Sequence, residues 1–123
     1  MRPKPRILIV EDEAAIATGL QWILEAEGMT VHVVGLAADV LPAIDDFKPD
    51  LMLLDLSIPD ADGRTIYEQV IDRLPVIFST GSDGERELLE SAHRDVAILM
   101  KPYPTDELLR MIYRVLAQGG ESE

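Results

Sequence analysis

The stretch that decides the fold is a short apolar run ending in two acids, Ile7-Leu8-Ile9-Val10-Glu11-Asp12. Two later runs have the same form, because Leu51-Met52-Leu53-Leu54 is followed by Asp55 and Ala97-Ile98-Leu99-Met100 is followed by Lys101. Short continuous apolar runs are typical of parallel strands that are buried on both faces. Since ligands of parallel sheets bind outside the carboxyl ends of the strands, we expect these charged side chains to meet at one edge of a sheet.

A pocket shared by Glu11, Asp12 and Asp55 would bring several negative charges together beside Lys101. Such a cluster is unfavourable unless a cation neutralises it or one carboxylate takes up a proton. A hard divalent cation is the simplest solution. The alternative is that the acids are separate helix caps or turn residues and that the lysine forms an ordinary salt bridge. That alternative requires three coincidences at one sheet edge.

Strand and helix patterns alternate five times along the chain. Besides the three runs above, strands are predicted over Met29–Val34 and Val76–Ser79, and helices over Glu13–Glu27, Asp39–Phe47 and Thr65–Arg73, after Ser82, and after Thr105. Five such units predict a doubly wound α/β fold with a five-stranded parallel sheet, in which right-handed crossovers leave few topologies open.

Local patterns give further expectations. Asp39 is a predicted N-cap, and Ser82 to Glu85 fit a capping box for a fourth helix whose apolar face is thin. Trp22 lies off the apolar stripe of the first helix, so we expect it to be partly exposed, packed against a neighbouring helix rather than held for a partner. Residues 118–123 are predicted to be a frayed tail.

Composition limits the classes of protein. The chain has 123 residues, and residues 1–123 are expected to form one domain with a core over about 6–117. No apolar run approaches the roughly 20 residues that a membrane-spanning helix needs. The net charge of −12 would repel a phosphate backbone, so direct nucleic-acid binding is not expected. The absence of cysteine excludes disulfides and is compatible with the cytoplasm, the expected location.

Taken in order, the motifs resemble those of the receiver domains of two-component response regulators. The resemblance spans nearly the whole chain and rests on four motifs: Glu11-Asp12, Asp55 with Pro59 and Asp62-Gly63, Thr80-Gly81, and Lys101-Pro102. It implies a flavodoxin-like receiver fold with strand order 2-1-3-4-5. It also implies a cis peptide before Pro102.

The resemblance also implies a set of roles. Asp55 would be the phosphoacceptor, taking a phosphoryl group from a histidine kinase or a histidine phosphotransfer protein. Mg²⁺ would be bound by Asp12 directly, by Glu11 mainly through water, by Asp55, and by the backbone carbonyl of Ser57. Lys101 and Thr80 would contact the phosphoryl oxygens, and movement of the threonine would change the surface made by the fourth helix, fifth strand and fifth helix. Such a protein catalyses only its own phosphorylation and dephosphorylation and signals to a downstream protein.

One departure concerns the aromatic residue that receivers usually carry three positions before the lysine, which is Ile98 here. In this respect the chain is similar to the FAT GUY group of single-domain receivers, whose Phe-Ala-Thr-Gly motif is matched by Phe78 to Gly81 except at Ser79. The similarity implies a stand-alone protein without a DNA-binding output. We hypothesise that it signals by reordering residues 81–90.

Two rival functions would use parts of the same pattern. A phosphatase of the haloacid dehalogenase type would also form an aspartyl phosphate, but it needs an acidic residue two positions after the nucleophile, where this chain has Ser57. A receiver-like module that binds partners without phosphorylation would not require the intact set of acids, Thr80 and Lys101. A relay or phosphate sink and an allosteric adaptor use the same pocket, so the sequence leaves both open.

Overall fold

The computed structural model describes residues 4–92 and 96–121. Its five strands are β1 (Arg6–Val10), β2 (Thr30–Val34), β3 (Leu51–Asp55), β4 (Val76–Thr80) and β5 (Ala97–Met100). Its five α-helices are α1 (Ala14–Ala26), α2 (Val40–Phe47), α3 (Gly63–Val70), α4 (Asp83–Ala92) and α5 (Thr105–Glu121). Each strand is followed by a helix, as the alternating patterns predict.

The strands form one parallel sheet in the order β2-β1-β3-β4-β5, which confirms the predicted topology. The register places Ile7 beside Leu51, Asp55 beside Ser79, and Thr80 beside Met100. Because all five strands point the same way, their carboxyl ends lie along one edge of the sheet.

Alternating residues of the strands form two separate cores, one on each face of the sheet. On one face, Ile7, Ile9 and Leu53 pack with apolar residues of α1 and α5. On the other face, Leu8, Leu54 and Phe78 pack with apolar residues of α2, α3 and α4. The central strands are therefore covered on both sides, which explains why their sequences are continuously apolar.

Helix α1 packs through Leu20 and Leu24, and Gly28 ends it with a φ of +86°. Such a left-handed conformation after a helix favours glycine, which has no Cβ. Trp22 has an exposed fraction of 71%. The expectation of exposure is confirmed, but packing of this indole against a neighbouring helix is wrong, because the side chain lies on the solvent side of α1.

Two boundary predictions also need correction. Asp39 precedes α2, but its φ of −92° and ψ of −5° are helical and its side chain makes no capping bond. It belongs to a short 3-10 turn over Ala37–Asp39. Helix α5 continues to Glu121, so residues 118–121 of the predicted tail are helical, while residues 122–123 lie outside the described part of the chain. Glycine weakens a helix by only about 1 kcal/mol relative to alanine, and proline alone would stop it.

No helix in the described part of the chain combines the length and the apolar character needed to cross a bilayer. The treatment of residues 1–123 as a single domain stays a prediction.

Candidate functional site

The backbone brings the predicted site residues to the carboxyl edge of the sheet. Glu11 and Asp12 follow β1, Asp55 ends β3, Thr80 ends β4, and Lys101 follows β5. Among these side chains, Glu11, Asp55 and Thr80 are buried, Lys101 is half-buried and Asp12 is exposed.

Both carboxylate oxygens of Asp55 accept hydrogen bonds. Oδ2 accepts a bond from the Lys101 Nζ at 2.8 Å. Oδ1 accepts bonds from the Ser57 amide at 2.9 Å and from the Ser57 hydroxyl at 2.8 Å. These donors hold the carboxylate in one orientation, so a reacting group would meet an oxygen in a fixed position.

Glu11 also lies near the lysine. Its Oε1 is 3.8 Å from Lys101 Nζ, and its Oε2 accepts a bond from the Glu13 amide at 3.3 Å. Lys101 is thus near two buried carboxylates and is closer to Asp55.

The two carboxylates have opposite pKa shifts. Burial and, to a smaller extent, the hydrogen-bonded neighbour Asp55 together raise the pKa of Glu11 from 4.5 to about 7. Burial alone would also raise the pKa of Asp55, but hydrogen bonds from Lys101 and Ser57 outweigh it and hold that pKa below 3.8. Asp55 is therefore the ionised member of the pair at neutral pH, and Glu11 is the one that takes up a proton first.

The acidic cluster has the donors that a hard cation prefers. Glu11, Asp12 and Asp55 each offer a carboxylate oxygen, and these three oxygens lie within 4.8 Å of one another. Carboxylates are hard oxygen donors, and two of the three, Glu11 and Asp55, are buried. These residues therefore fit a divalent cation bound by oxygen ligands.

Thr80 ends β4 at the site, and its described side-chain hydrogen bonds go to the start of α4. Its hydroxyl donates to Glu85 Oε1 at 2.5 Å and accepts a bond from the Ser82 amide at 3.1 Å. Half of the predicted capping box forms, because the Glu85 amide donates to the Ser82 hydroxyl at 3.2 Å. The other half is wrong, since the Glu85 carboxylate binds Thr80 instead of the Ser82 amide.

One residue of the site region has a role that the sequence did not reveal. Asp60 lies in the segment Pro59-Asp60-Ala61-Asp62-Gly63, whose composition is typical of a turn, yet its carboxylate accepts bonds from the Ala37 amide at 2.7 Å and the Ala38 amide at 3.1 Å. The Ala37 bond is the main reason why the pKa of Asp60 lies below its usual 3.8. Asp60 therefore ties the loop after Asp55 to the loop after β2.

The region after Lys101 agrees with the resemblance. The peptide between Lys101 and Pro102 is cis, which confirms that prediction. Tyr103 lies beside the site, and burial raises the pKa of its phenol. Ile98 is partly buried against the core at the position where receivers usually have an aromatic residue.

Comparison with known proteins identifies the family. The response regulator receiver domain model matches residues 7–113. The chain belongs to the response regulator receiver domain family. The resemblance argued from the motifs is thereby confirmed, and the phosphatase alternative is set aside.

Curated relatives and solved structures agree with this assignment. The chain is 34% identical over 122 residues to the sensory transduction protein RegX3 of Mycolicibacterium smegmatis, covering 95% of the chain and 53% of RegX3. It is 31% identical over 114 residues to the DNA-binding response regulator MtrA of Mycobacterium leprae, covering 89% of the chain and 50% of MtrA. A CheY-like receiver domain protein from Methanospirillum hungatei JF-1 superposes with a TM-score of 0.86 at 31% identity, covering 98% of the chain and 99% of that protein. The receiver chain thus spans about half the length of the curated relatives it matches.

Proposed function

We propose that this receiver accepts a phosphoryl group on Asp55 as a step in two-component signalling. The observation that carries the proposal is the state of that carboxylate, which is buried, ionised and held by Lys101 Nζ at 2.8 Å. An ionised carboxylate fixed at the edge of a sheet is a suitable nucleophile for phosphorus. Its neighbours offer the positive charge and the hydrogen-bond donors that a transferred phosphoryl group needs.

In the proposed reaction an oxygen of Asp55 attacks the phosphorus of a phosphohistidine. The new bond is O–P, the P–N bond breaks, and the electron pair of that bond goes to the imidazole nitrogen, which takes a proton from solvent. The product is an acyl phosphate on Asp55. Lys101 would then pair with a phosphoryl oxygen, and the Thr80 hydroxyl would donate to another. In the proposed hydrolysis, water attacks the phosphorus, the O–P bond to Asp55 breaks, and phosphate and the carboxylate are released.

The cation we propose for the acidic cluster is Mg²⁺. Asp12 and Asp55 would bind it directly, Glu11 mainly through water, and the Ser57 carbonyl would complete the ligands from the protein. Mg²⁺ prefers a few carboxylates together with waters and phosphate oxygens. When bound, it would offset the negative charge on the phosphoryl oxygens.

The proposed donor is a protein, either a histidine kinase or a histidine phosphotransfer protein. An apolar groove lined in part by Lys101 supports a macromolecular donor, and it lies between α1 and the segment before α5. It is lined by Ile16, Leu20, Ile23, Tyr103 and Leu108. A protein donor could pack apolar side chains into this groove, whereas a small phosphodonor would not need it.

The output we propose is a change of the surface formed by α4, β5 and α5, which a downstream protein would detect. The receiver would act in the cytoplasm and would catalyse only its own phosphorylation and dephosphorylation. Its similarity to the FAT GUY group favours a stand-alone role, and MtrA shows that relatives include DNA-binding response regulators. Transfer of the phosphoryl group from Asp55 to a histidine phosphotransfer domain would identify a relay, and its absence would favour an allosteric adaptor.

The test is incubation with acetyl phosphate and Mg²⁺ followed by intact mass measurement. We expect one phosphoryl adduct on the wild type, none on Asp55→Asn, and none when Mg²⁺ is removed by a chelator. Asp45→Asn is the matched control, because Asp45 is exposed and pairs with Arg73 away from the site. An adduct that persists in Asp55→Asn would overturn the proposal, and a wild type without any adduct would favour the partner-binding module.

A further inference from the structure

The side-chain hydroxyl of Thr80 is already occupied by a carboxylate. It donates to Glu85 Oε1 at 2.5 Å, and Thr80 has an exposed fraction of only 2%. A hydroxyl has a single hydrogen to donate. While it is bonded to Glu85, Thr80 has no hydrogen for a phosphoryl group on Asp55.

The same hydroxyl organises the start of α4. It accepts the Ser82 amide at 3.1 Å, and the Ser82 hydroxyl in turn accepts the Glu85 amide at 3.2 Å. The Ser82 carbonyl accepts the Arg86 amide at 3.1 Å. The first turn of α4 is therefore joined to the end of β4 by a closed set of bonds in which the Glu85 carboxylate is the only charged acceptor described.

We propose that Glu85 is a positioning residue that opposes activation, because its bond holds Thr80 in the position that Thr80 has when Asp55 is unphosphorylated. This inference rests on the proposed function, because it concerns the threonine expected to contact the phosphoryl group. Two anionic acceptors, the Glu85 carboxylate and the phosphoryl group, compete for one hydrogen. Thr80 bonds to one or to the other, so the residue has two exclusive states.

Release of Glu85 would leave it in solvent, where it is already largely exposed. Water then satisfies the freed carboxylate, whereas the turn of α4 loses a bond to β4. Phosphorylation on Asp55 would thus loosen the start of α4 through Thr80 and Glu85. An aromatic residue at position 98 is not needed for this coupling.

The proposal predicts the sign of a substitution. Glu85→Ala removes the competing acceptor, so the site should bind a phosphoryl analogue more tightly even though α4 loses a stabilising bond. Hydrogen bonds to charged groups are strong enough that we expect about a tenfold gain in affinity. Glu85→Gln keeps an acceptor oxygen without the charge, so its affinity for the analogue should fall between those of the wild type and Glu85→Ala. A residue with a merely structural role would instead weaken binding and stability together.

The test measures the affinity for beryllofluoride in the presence of Mg²⁺ by amide NMR on the full chain. The variants are Glu85→Ala, Glu85→Gln and the control Glu87→Ala, which removes the same charge from an exposed position of α4. Each is made in the wild type and with Thr80→Ala. We expect the gain from Glu85→Ala to disappear in the Thr80→Ala background, because the hydroxyl hydrogen for which the two acceptors compete is then absent. The affinity of Glu87→Ala should stay within about twofold of wild type, because independent sites show no coupling.

A second measurement needs no phosphoryl analogue. Without beryllofluoride, amide hydrogens of residues 82–86 should exchange faster in Glu85→Ala than in Glu87→Ala. Unchanged or weaker beryllofluoride binding by Glu85→Ala, or an equal gain with Thr80→Ala, would overturn the positioning role alone. A wild type that binds no beryllofluoride would overturn the proposed function and this inference with it.

Discussion

At the scale of single residues, the contact between Lys101 and Asp55 determines the charge of the pocket. Burial disfavours a carboxylate, and the lysine at 2.8 Å reverses that effect for Asp55. Glu11, which lies 3.8 Å from the same nitrogen, keeps a raised pKa of about 7. The closer lysine and the two Ser57 bonds thus lower the pKa of Asp55, whereas burial dominates at Glu11.

Lys101→Ala should raise the pKa of Asp55 above 3.8, because burial would no longer be offset by the lysine. In the wild type the lowered pKa means that ionised Asp55 stabilises the fold above pH 3.8 and that this contribution is lost as the pH falls through the lower, folded-state value. In the variant the sign of this contribution reverses. Carbon NMR of the Asp55 carboxyl group during a pH titration without Mg²⁺ measures the shift.

The control for this titration is Lys4→Ala, which removes the same charge from an exposed position near the start of the described chain. It should leave the Asp55 pKa where it is in the wild type. An Asp55 pKa that stays below 3.8 in Lys101→Ala would show that the Ser57 bonds alone suffice.

At the scale of elements, α4 is attached to the rest of the fold by few groups. Within the described part of the chain, Leu89 is the buried residue of α4, while Leu88 has an exposed fraction of 55%. Beyond this apolar contact, the bonds through Thr80, Ser82 and Glu85 hold its first turn. A helix anchored at so few points is suited to change its position when one of them is lost.

We expect Leu89→Ala to lower the free energy of unfolding by about 3 kcal/mol, because it leaves a cavity in the core beneath α4. Leu88→Ala, one residue away on the exposed side, should change it by less than about 0.5 kcal/mol. Urea denaturation of both variants measures the difference. Similar losses in the two variants would mean that α4 packs differently from the described arrangement.

The elements also show what the sequence could predict. The strand ends were predictable because each continuous apolar run is followed directly by a charged residue. Glu11, Asp55 and Lys101 could therefore be placed at the carboxyl ends of strands. The bond of Asp60 to the Ala37 amide was not, since it joins loops 23 residues apart and no local pattern encodes it. The capping-box bond of the Glu85 carboxylate was predicted wrongly, because a capping box and a bond to Thr80 both require an acidic residue at this position and the sequence cannot distinguish them.

At the scale of the whole molecule, charge is the dominant property. The net charge is −12, and part of it is concentrated at the carboxyl edge of the sheet in Glu11, Asp12 and Asp55. The relative MtrA is a DNA-binding response regulator, but the chain covers 50% of its length. The receiver itself has the wrong sign of charge for a phosphate backbone.

We therefore expect no binding of duplex DNA by this chain at protein concentrations up to about 0.1 mM. That concentration equals the weakest dissociation constant usual for non-specific DNA binding. An electrophoretic mobility assay at several salt concentrations measures this. Lower salt should not produce binding, since repulsion between like charges grows as screening falls. A complex that strengthens as salt is removed would contradict the expectation.

The single tryptophan of the chain offers a practical use of its unusual placement. Trp22 is 71% exposed and lies eight residues after Ala14, the first residue of α1, or about 12 Å along the helix axis. Its intrinsic emission should have the long wavelength of a hydrated indole and should respond little to events in the phosphorylation pocket. A blue shift on mixing with another protein would therefore act as a label-free spectroscopic reporter that the outer side of α1 has been covered.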